Sequence, residues 1–595
     1  MYLMDALGHS DIEYVCCHHE QAAGIAAVGY AIENNDLGVC LVTTGPGGTN
    51  ALTAAGAAYV DSTPVLFISG QVKTSDFASL RGVRQFGAQE NDIVSMAKPV
   101  TKYAVTVTDK NSIRFHLEKA IYMALHGRRG PVWIDIPLDI QNSEVDPEAL
   151  LGYSYDCDND NMSDDIQIHK EPNTADIDEK IDGLINDLAR SRRPLFLVGH
   201  GLKASGAENN FRELVKKLSI PVQTTWRELA LFDDDDPLFY GSPGLQARRY
   251  SNLIIQGADL LIVLGSRMDN MITAFNEEHF ACRARKYVVD IDSHEIDKLS
   301  MPDMIGINCD ITYFLERLND RLNQDSDISA ISDVTASSCR KEWTDECDSL
   351  RKKYPLLSEK QIANLPGVDL YKLTDIVSGY CTVDDIISIS STSRCNTAGH
   401  IAFRHKAGQR LISSMGFGSM GFALPHAIGA WFASDIPADS RRVIMFEGDG
   451  SLQLNIQELQ TIVHHGINAK MFIFSNTGYA AIATMQDRNF DGFHVGSDPD
   501  SGVTIPNLGR IADAYGIPYY LIEDNELIED VVREVMGMQG PVLCEFRGSI
   551  LFDEIPKCIS SVDETGKRVS AALENPFPFL SEEEMDSIYR DIELI

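Results

Sequence analysis

Asp449 and Asn476 are the residues of this chain whose types and spacing point most directly to chemistry. Asp449 stands inside Gly448-Asp449-Gly450-Ser451, Asn476 follows 27 positions later, and Gly478 lies two residues beyond it. A hard Mg²⁺ ion takes near-octahedral oxygen ligands and is commonly shared between one or two protein groups and substrate phosphates. Asp449 offers a carboxylate, Asn476 an amide oxygen and Gly478 a main-chain carbonyl. Gly448 and Gly450 would let a diphosphate approach the backbone, and a helix opening at Ser451 would turn free N–H groups toward it.

A lone Gly-Asp-Gly is usually only a turn that contains an acid, so the surrounding elements decide. Before it, Arg442-Val443-Ile444-Met445-Phe446 is an apolar run of strand length. After it, Leu454, Leu459, Ile462 and Val463 recur at helical spacing across 454–465, and Met471-Phe472-Ile473-Phe474 forms a second strand that delivers Asn476. Both polar groups then fall at the carboxyl ends of strands, where open α/β sheets bind ligands. This package resembles the thiamine diphosphate (ThDP) fingerprint, and 448–458, GDGSLQLNIQE, is similar to its acetolactate synthase version.

Composition sets outer limits. The chain has 595 residues, 44% hydrophobic and 23% charged, enough for three domains of ordinary size. Lys+Arg 51 against Asp+Glu 87 gives a net charge of −36, which argues against nucleic acid as a partner. No apolar run reaches membrane-spanning length and no basic-then-apolar leader opens the chain, so no membrane and a cytoplasmic address are expected. Twelve cysteines without a C-x-x-C pair read as reduced, mostly structural thiols, Cys16-Cys17 among them in a buried strand.

The order of elements predicts an α/β protein of three doubly wound parallel-sheet domains. In the first, Ile12–Cys16 reads as a strand and Glu20–Ile32 as a helix, with further strands at Val39–Val42, Val65–Ser69 and Pro131–Pro137. An acidic linker at 156–165 precedes strands at Pro194–Val198, Leu260–Leu264 and Tyr287–Ile291, and Asp233–Asp236 between them reads as a solvated loop. A second linker at 323–338 leads to the unit that carries Asp449 and ends with the strand Pro541–Phe546. By resemblance, 1–150 is the pyrimidine-binding domain, 175–325 a central FAD-binding-like domain, 366–550 the diphosphate- and Mg²⁺-binding domain, and 551–595 a tail that is a lid or an interface arm.

The resemblance also assigns roles. Glu20, in His18-His19-Glu20-Gln21, is where the family places the glutamate that faces N1′ of the aminopyrimidine, and an apolar site would raise its pKa for proton exchange. Gly45-Pro46-Gly47-Gly48-Thr49-Asn50 resembles the GPGATN loop beside it, and Ser69-Gly70-Gln71-Val72 continues the match, with Gln71 and Lys102 as lining residues. Gly416 to Gly421 resembles GLGTMG, in which the carbonyl matching Gly418 accepts from the 4′-amino group and the side chain matching Met420 braces the bent cofactor. Gly448, Gly450, Ser451 and Asn396 fall in the diphosphate segments. Gly201, Arg267, Asp269, Asp290 and Asp310 fall in the FAD segments, with Arg267 toward the diphosphate and Asp290 toward a ribose hydroxyl.

The implied enzyme binds ThDP, Mg²⁺ and FAD, decarboxylates pyruvate, and transfers the two-carbon unit to an acceptor carbonyl. It is a homodimer or homotetramer whose sites lie between subunits. Four departures qualify the match. The family has a further strand and a glycine-rich loop ahead of the position of Met1, which raises the alternatives of a misplaced start and of a silent ThDP-binding protein. A Gln-His pair reads Cys395-Asn396, and the family's Arg-Phe-Asp-Asp-Arg reads Arg267-Met268-Asp269-Asn270-Met271. The tryptophan-containing acceptor segment reads Ala483-Thr484-Met485-Gln486, which favours a different acceptor such as a nucleotide-linked keto-sugar.

Overall fold

The apolar runs become three parallel sheets in the computed structural model, which describes residues 1–154, 174–324, 334–360, 367–549, 554–562, 568–569 and 572–590. The linker expected at 156–165 lies outside the described residues, as does 325–333 of the second linker. The first sheet comprises β1 (Gly38–Val42), β2 (Val65–Gln71), β3 (Tyr103–Thr106) and β4 (Val132–Pro137), ordered β1-β2-β4-β3. The second comprises β5 (Pro194–Val198), β6 (Val222–Thr224), β7 (Leu260–Leu264), β8 (Arg285–Asp290) and β9 (Met304–Asn308), ordered β6-β5-β7-β8-β9. The third comprises β10 (Asp385–Ile389), β11 (Arg410–Ile412), β12 (Arg442–Gly448), β13 (Ala469–Ser475), β14 (Tyr519–Ile522) and β15 (Val542–Arg547), ordered β11-β10-β12-β13-β15-β14.

Helices cover both faces, so central strands such as β5 and β13 are buried at every residue and read as largely apolar runs. The first and third domains share a core through helices Glu20–Asn34 and Ala423–Ala433. Their backbones touch: a Cβ added to Gly429 would stand 1.8 Å from the carbonyl oxygen of Ala26, so only glycine fits there. The described part of the tail lies on the second domain, where Tyr354 donates to Glu584 at 2.7 Å and Tyr589 is buried.

Three expectations need correction. Residues 12–16 form no strand: Ile12 is 66% and Tyr14 54% exposed, and Cys16 is exposed. Alternating apolar residues make a strand only where a neighbour takes up their N–H and C=O groups, and β1 pairs with β2 instead. The helix expected over 454–465 is broken. A short helix opens at Asp449–Leu452, a 3₁₀ turn follows at Ile456–Glu458, and Leu459–His464 resumes. The break is fixed by Asn455, whose side-chain amide donates to the Gly421 carbonyl at 2.8 Å. Nor is the 233–236 loop simply solvated, since Asp234 pairs with Arg248 at 2.7 Å and Asp233 accepts from the Ala407 N–H at 3.0 Å. The described cysteines are free, as expected.

Candidate active site

In an open α/β sheet the ligand crevice opens where successive strands are added to opposite sides. In the third sheet that point lies between β10 and β12, because β11 is added on one side of β10 and β12 on the other. The carboxyl ends there carry Ser390–Thr392 and Gly448–Asp449. Asp449 is 2% exposed, and its carboxylate accepts from the Gly450 N–H at 2.7 Å, the Asn476 N–H at 2.9 Å and the Thr477 N–H at 3.0 Å. Burial pushes its carboxyl above the usual value, and these backbone donors oppose the shift.

Thr477 has φ +65°, a left-handed conformation that turns two successive N–H groups toward Asp449. Asn476 accepts from the Gly478 N–H at 3.3 Å, and a Cβ on Gly478 would stand 2.4 Å from the Ser497 carbonyl oxygen. Asp449, Asn476 and Gly478 are thus held in one turn, and Ser451 links it to the glycine-rich segment by accepting from the Gly421 N–H at 2.7 Å. In that segment Gly418 is exposed at φ +66° and Met420 is half-buried.

The helix Ser393–Ile401 starts beside this turn. Asn396 is buried in it, and its side-chain oxygen has no partner among the described residues, as suits a group reserved for a ligand. Two neighbours escaped the sequence reading. Glu447 is fully buried with the Ser390 and Thr392 hydroxyls on one oxygen, and burial pushes its carboxyl up. Arg394 donates to the Thr484 hydroxyl and the Ser549 carbonyl, each at 3.1 Å, so the residue before Cys395-Asn396 touches the 483–486 segment.

Glu20 opens its helix at the carboxyl end of the first sheet, after an N-cap at His19 whose ring accepts from the Gln21 N–H at 3.1 Å. Its carboxylate accepts from Asn50 at 3.0 Å, which brings it together with the 45–50 loop. The expected rise in its pKa does not occur in the single chain. The Asn50 donor holds the carboxyl below its usual value, because Glu20 is only half-buried and little desolvation opposes it. Gln71 is spent within its domain, donating to the Asn91 carbonyl at 2.8 Å and to Asp135 at 3.1 Å. Lys102 does not line the site: its ammonium donates to the Met123 and His126 carbonyls that end helix Ile113–Leu125, and burial pushes it down to about 8.

A second crevice opens at the switch point of the central sheet, between β5 and β7. It is a cavity of about 220 Å³ bordered by Gly201, Arg267, Asp269, Asp290 and Asp310. Arg267 donates to the Val60 carbonyl of the first domain at 3.0 Å and stands 3.5 Å from Asp269, which also caps helix Asn270–Thr273. Asp290 accepts from the Asp292 N–H at 2.9 Å, and burial pushes it up to about 6. Asp310 accepts from the Thr312 N–H at 2.8 Å. The sequence reading missed Arg128, which enters the rim from the first domain to pair with Asp292 at 2.8 Å and with Glu295 at 2.5 Å.

Behind the cavity, burial pushes the Glu228 carboxyl up to about 8 and holds the His200 ring well below its usual value. At neutral pH the pair is therefore a protonated carboxyl donating to a neutral ring nitrogen across 2.8 Å. The unfolded carboxyl titrates near 4.5, so the stability that the protonated Glu228 contributes is fully present below that pH and is lost as pH rises through about 8, while below about 6.5 the neutral His200 ring, whose unfolded counterpart takes up a proton, opposes that slope. Glu228→Gln should flatten the dependence of the thermal midpoint on pH between about 6.5 and 8, where the His200 contribution no longer changes; an unchanged slope there would assign the dependence elsewhere.

Comparison with known proteins gives a consistent pattern. Three family models match: thiamine pyrophosphate enzyme, N-terminal TPP binding domain, over residues 1–96; the central domain over 181–318; and the C-terminal TPP binding domain over 392–546. The chain is 30% identical over 536 residues to an acetolactate synthase large subunit of Cyanidium caldarium, covering 90% of this chain and 86% of that protein. It is 30% identical over 539 residues to the chloroplastic acetolactate synthase 1 of Zea mays, covering 89% and 78%. It is also 30% identical over 554 residues to a probable acetolactate synthase large subunit of Methanococcus aeolicus, covering 91% and 86%. Among the described residues no helix is long and apolar enough to cross a membrane.

Proposed function

This chain belongs to the thiamine diphosphate-dependent acetolactate synthase family, and from that membership we propose that it decarboxylates pyruvate and joins the two-carbon unit to an acceptor carbonyl. The observation that carries the reading is the Asp449–Asn476–Thr477 contact at the carboxyl ends of β12 and β13, beside the switch point of the third sheet, with the Asn396 oxygen that has no partner among the described residues. Bound ThDP supplies the electron sink for decarboxylation. The chain's own residues bind and orient it, and Glu20 holds the proton exchanged with the aminopyrimidine ring.

Asp449, Asn476 and the Gly478 carbonyl would hold Mg²⁺. The donor set fits: one carboxylate, one amide oxygen and one carbonyl leave positions for diphosphate oxygens, and among the described residues no cluster of three or more His, Cys, Asp or Glu offers an all-protein cage. Gly448, Gly450 and Ser451 let the diphosphate approach, and Gly418 and Met420 meet the pyrimidine side. The first domain, 1–150, serves the pyrimidine and 366–550 the diphosphate. A dimer would bring Glu20 of one chain to Asp449 of the other. Phe490, Phe493 and Val495, exposed in the segment after the metal turn, suit burial by a second chain.

FAD suits the central domain, 175–325. Arg267 and Arg128 provide cations for its diphosphate, and Asp290 and Asp310 provide acceptors for its hydroxyls, with Gly201 and Asp269 on the wall. At about 220 Å³ the cavity is smaller than the roughly 300–1,000 Å³ of typical ligand pockets, so the dinucleotide would also extend along its mouth. Purified protein is expected to carry flavin absorbance or to acquire it stoichiometrically on addition of FAD. Colourless protein that takes up none would remove FAD from the account.

A second reading concerns the acceptor alone. Helix Ala480–Asn489 leaves Met485 53% and Ile482 40% exposed, an apolar wall without an aromatic ring that leaves room for a bulkier acceptor than pyruvate, such as a nucleotide-linked keto-sugar. The experiment is CO₂ release from pyruvate with ThDP, Mg²⁺ and FAD, with the carbon products identified. Acetolactate would establish pyruvate as acceptor, and release without acetolactate would point to another. No release with ThDP bound would overturn the enzyme reading.

A further inference from the structure

Glu458 lies nine residues beyond Asp449, in the turn that breaks the expected helix. Its carboxylate is fully buried. One oxygen accepts from the main-chain N–H groups of His18 at 2.9 Å and His19 at 3.1 Å, and the other accepts from the Thr461 hydroxyl at 2.7 Å. Burial and the nearby Glu458 carboxylate push the Cys17 thiol up. Three residues earlier, at the cap of the same turn, Asn455 donates to the Gly421 carbonyl at 2.8 Å and to the Gln21 side chain at 3.4 Å. The turn therefore touches three segments: the corner before Glu20, the glycine-rich segment that ends at Gly421, and the chain leaving Asp449.

A buried carboxylate is costly unless its lone pairs are filled, and two successive backbone N–H groups directed at one oxygen fix the orientation of both peptide planes. Those planes, 17–18 and 18–19, directly precede the peptide that enters Glu20, and residues 12–17 are in no regular element that could hold the corner otherwise. We propose that Glu458 is the positioning residue for Glu20: it anchors the His18-His19 corner to the third domain, so the helix starts with the Glu20 carboxylate aimed at its task. The proposal rests on the role given to Glu20 above, and its test separates the two.

The variants are Glu458→Met, which keeps the volume and removes the acceptors, and Glu458→Gln, which keeps one oxygen to accept. In the protein without added ThDP, amide exchange followed by mass spectrometry should speed up by about tenfold or more in the peptide covering 17–22 of the Met variant, while peptides from β12 and β13 keep their protection. The Gln variant should stay close to the parent. With ThDP and Mg²⁺ bound, exchange of the thiazolium C2 proton, followed by NMR after acid quench, should slow by about tenfold in the Met variant at unchanged ThDP affinity.

Parent-like exchange at 17–22 in the Met variant would overturn the anchor. So would parent-like C2 exchange in that variant, provided Glu20→Gln abolishes it. If Glu20→Gln itself leaves C2 exchange intact, the role of Glu20 falls, and the amide-exchange result still decides whether Glu458 holds the corner. If the Met variant loses protection in β12 and β13 as well, the Gln variant decides: slow exchange at 17–22 supports the anchor, and fast exchange in an otherwise protected protein overturns the requirement for an acceptor alone.

Discussion

Replacing Asp449 by alanine is expected to weaken Mg²⁺ and ThDP binding together, each by on the order of a hundredfold, equivalent to about 2.7 kcal/mol. Two losses combine. The proposed metal site loses its only carboxylate, and the Asn476 and Thr477 N–H groups lose the acceptor that holds the left-handed Thr477 turn in place. An unsatisfied buried donor costs about 1–3 kcal/mol, so the turn itself should loosen and carry Asn476 and the Gly478 carbonyl out of position. The joint loss separates this account from a purely structural Asp449, which would lower stability without linking the two affinities. Titration of tryptophan fluorescence with ThDP at several Mg²⁺ concentrations reads both constants. A variant that binds ThDP normally at low Mg²⁺ would contradict the clamp.

The architecture was legible where burial is complete. β5, β12, β13 and β15 are central strands with helices on both faces, and their largely apolar runs could be read directly. β3, β6, β9, β11 and β14 are edge strands, several of only three or four residues, and they leave too little periodic signal. The site divides in the same way. The proposed metal residues Asp449, Asn476 and Gly478 rest on local spacing, and the proposed FAD residues Gly201, Arg267, Asp290 and Asp310 stand at or just after strand ends, which is also a local signal. Glu458 lies inside the segment that gave the family away, yet its partners are 440 residues distant and nothing local announces them. Arg394 became meaningful only when its reach to Thr484, 90 residues on, was on the page. The error about the Glu20 pKa has the same origin, because the deciding group is an amide on another helix.

Glu20→Gln should leave ThDP affinity within about threefold and lower CO₂ release from pyruvate by about 10²–10⁴, the range that a positioned acid–base group contributes. Glutamine keeps the length of the side chain and still offers an oxygen to Asn50, so the helix start and the 45–50 loop should survive, which thermal unfolding can confirm. What it cannot do is carry a proton to and from the aminopyrimidine. In the single chain Asn50 holds the carboxyl low, the wrong direction for a group that must share a proton near neutral pH. On the proposed reading, burial beneath the cofactor ring, and against a second chain in the proposed dimer, would raise it by desolvation once the site is assembled. Asn50→Ala removes the opposing donor and should move the acidic limb of the pH–rate profile upward, whereas Glu20→Gln should abolish that limb along with the activity. Undiminished turnover in the Gln variant would take Glu20 out of the mechanism, and an unmoved limb in the Asn50 variant would mean that the assembled site sets the pKa without reference to this hydrogen bond.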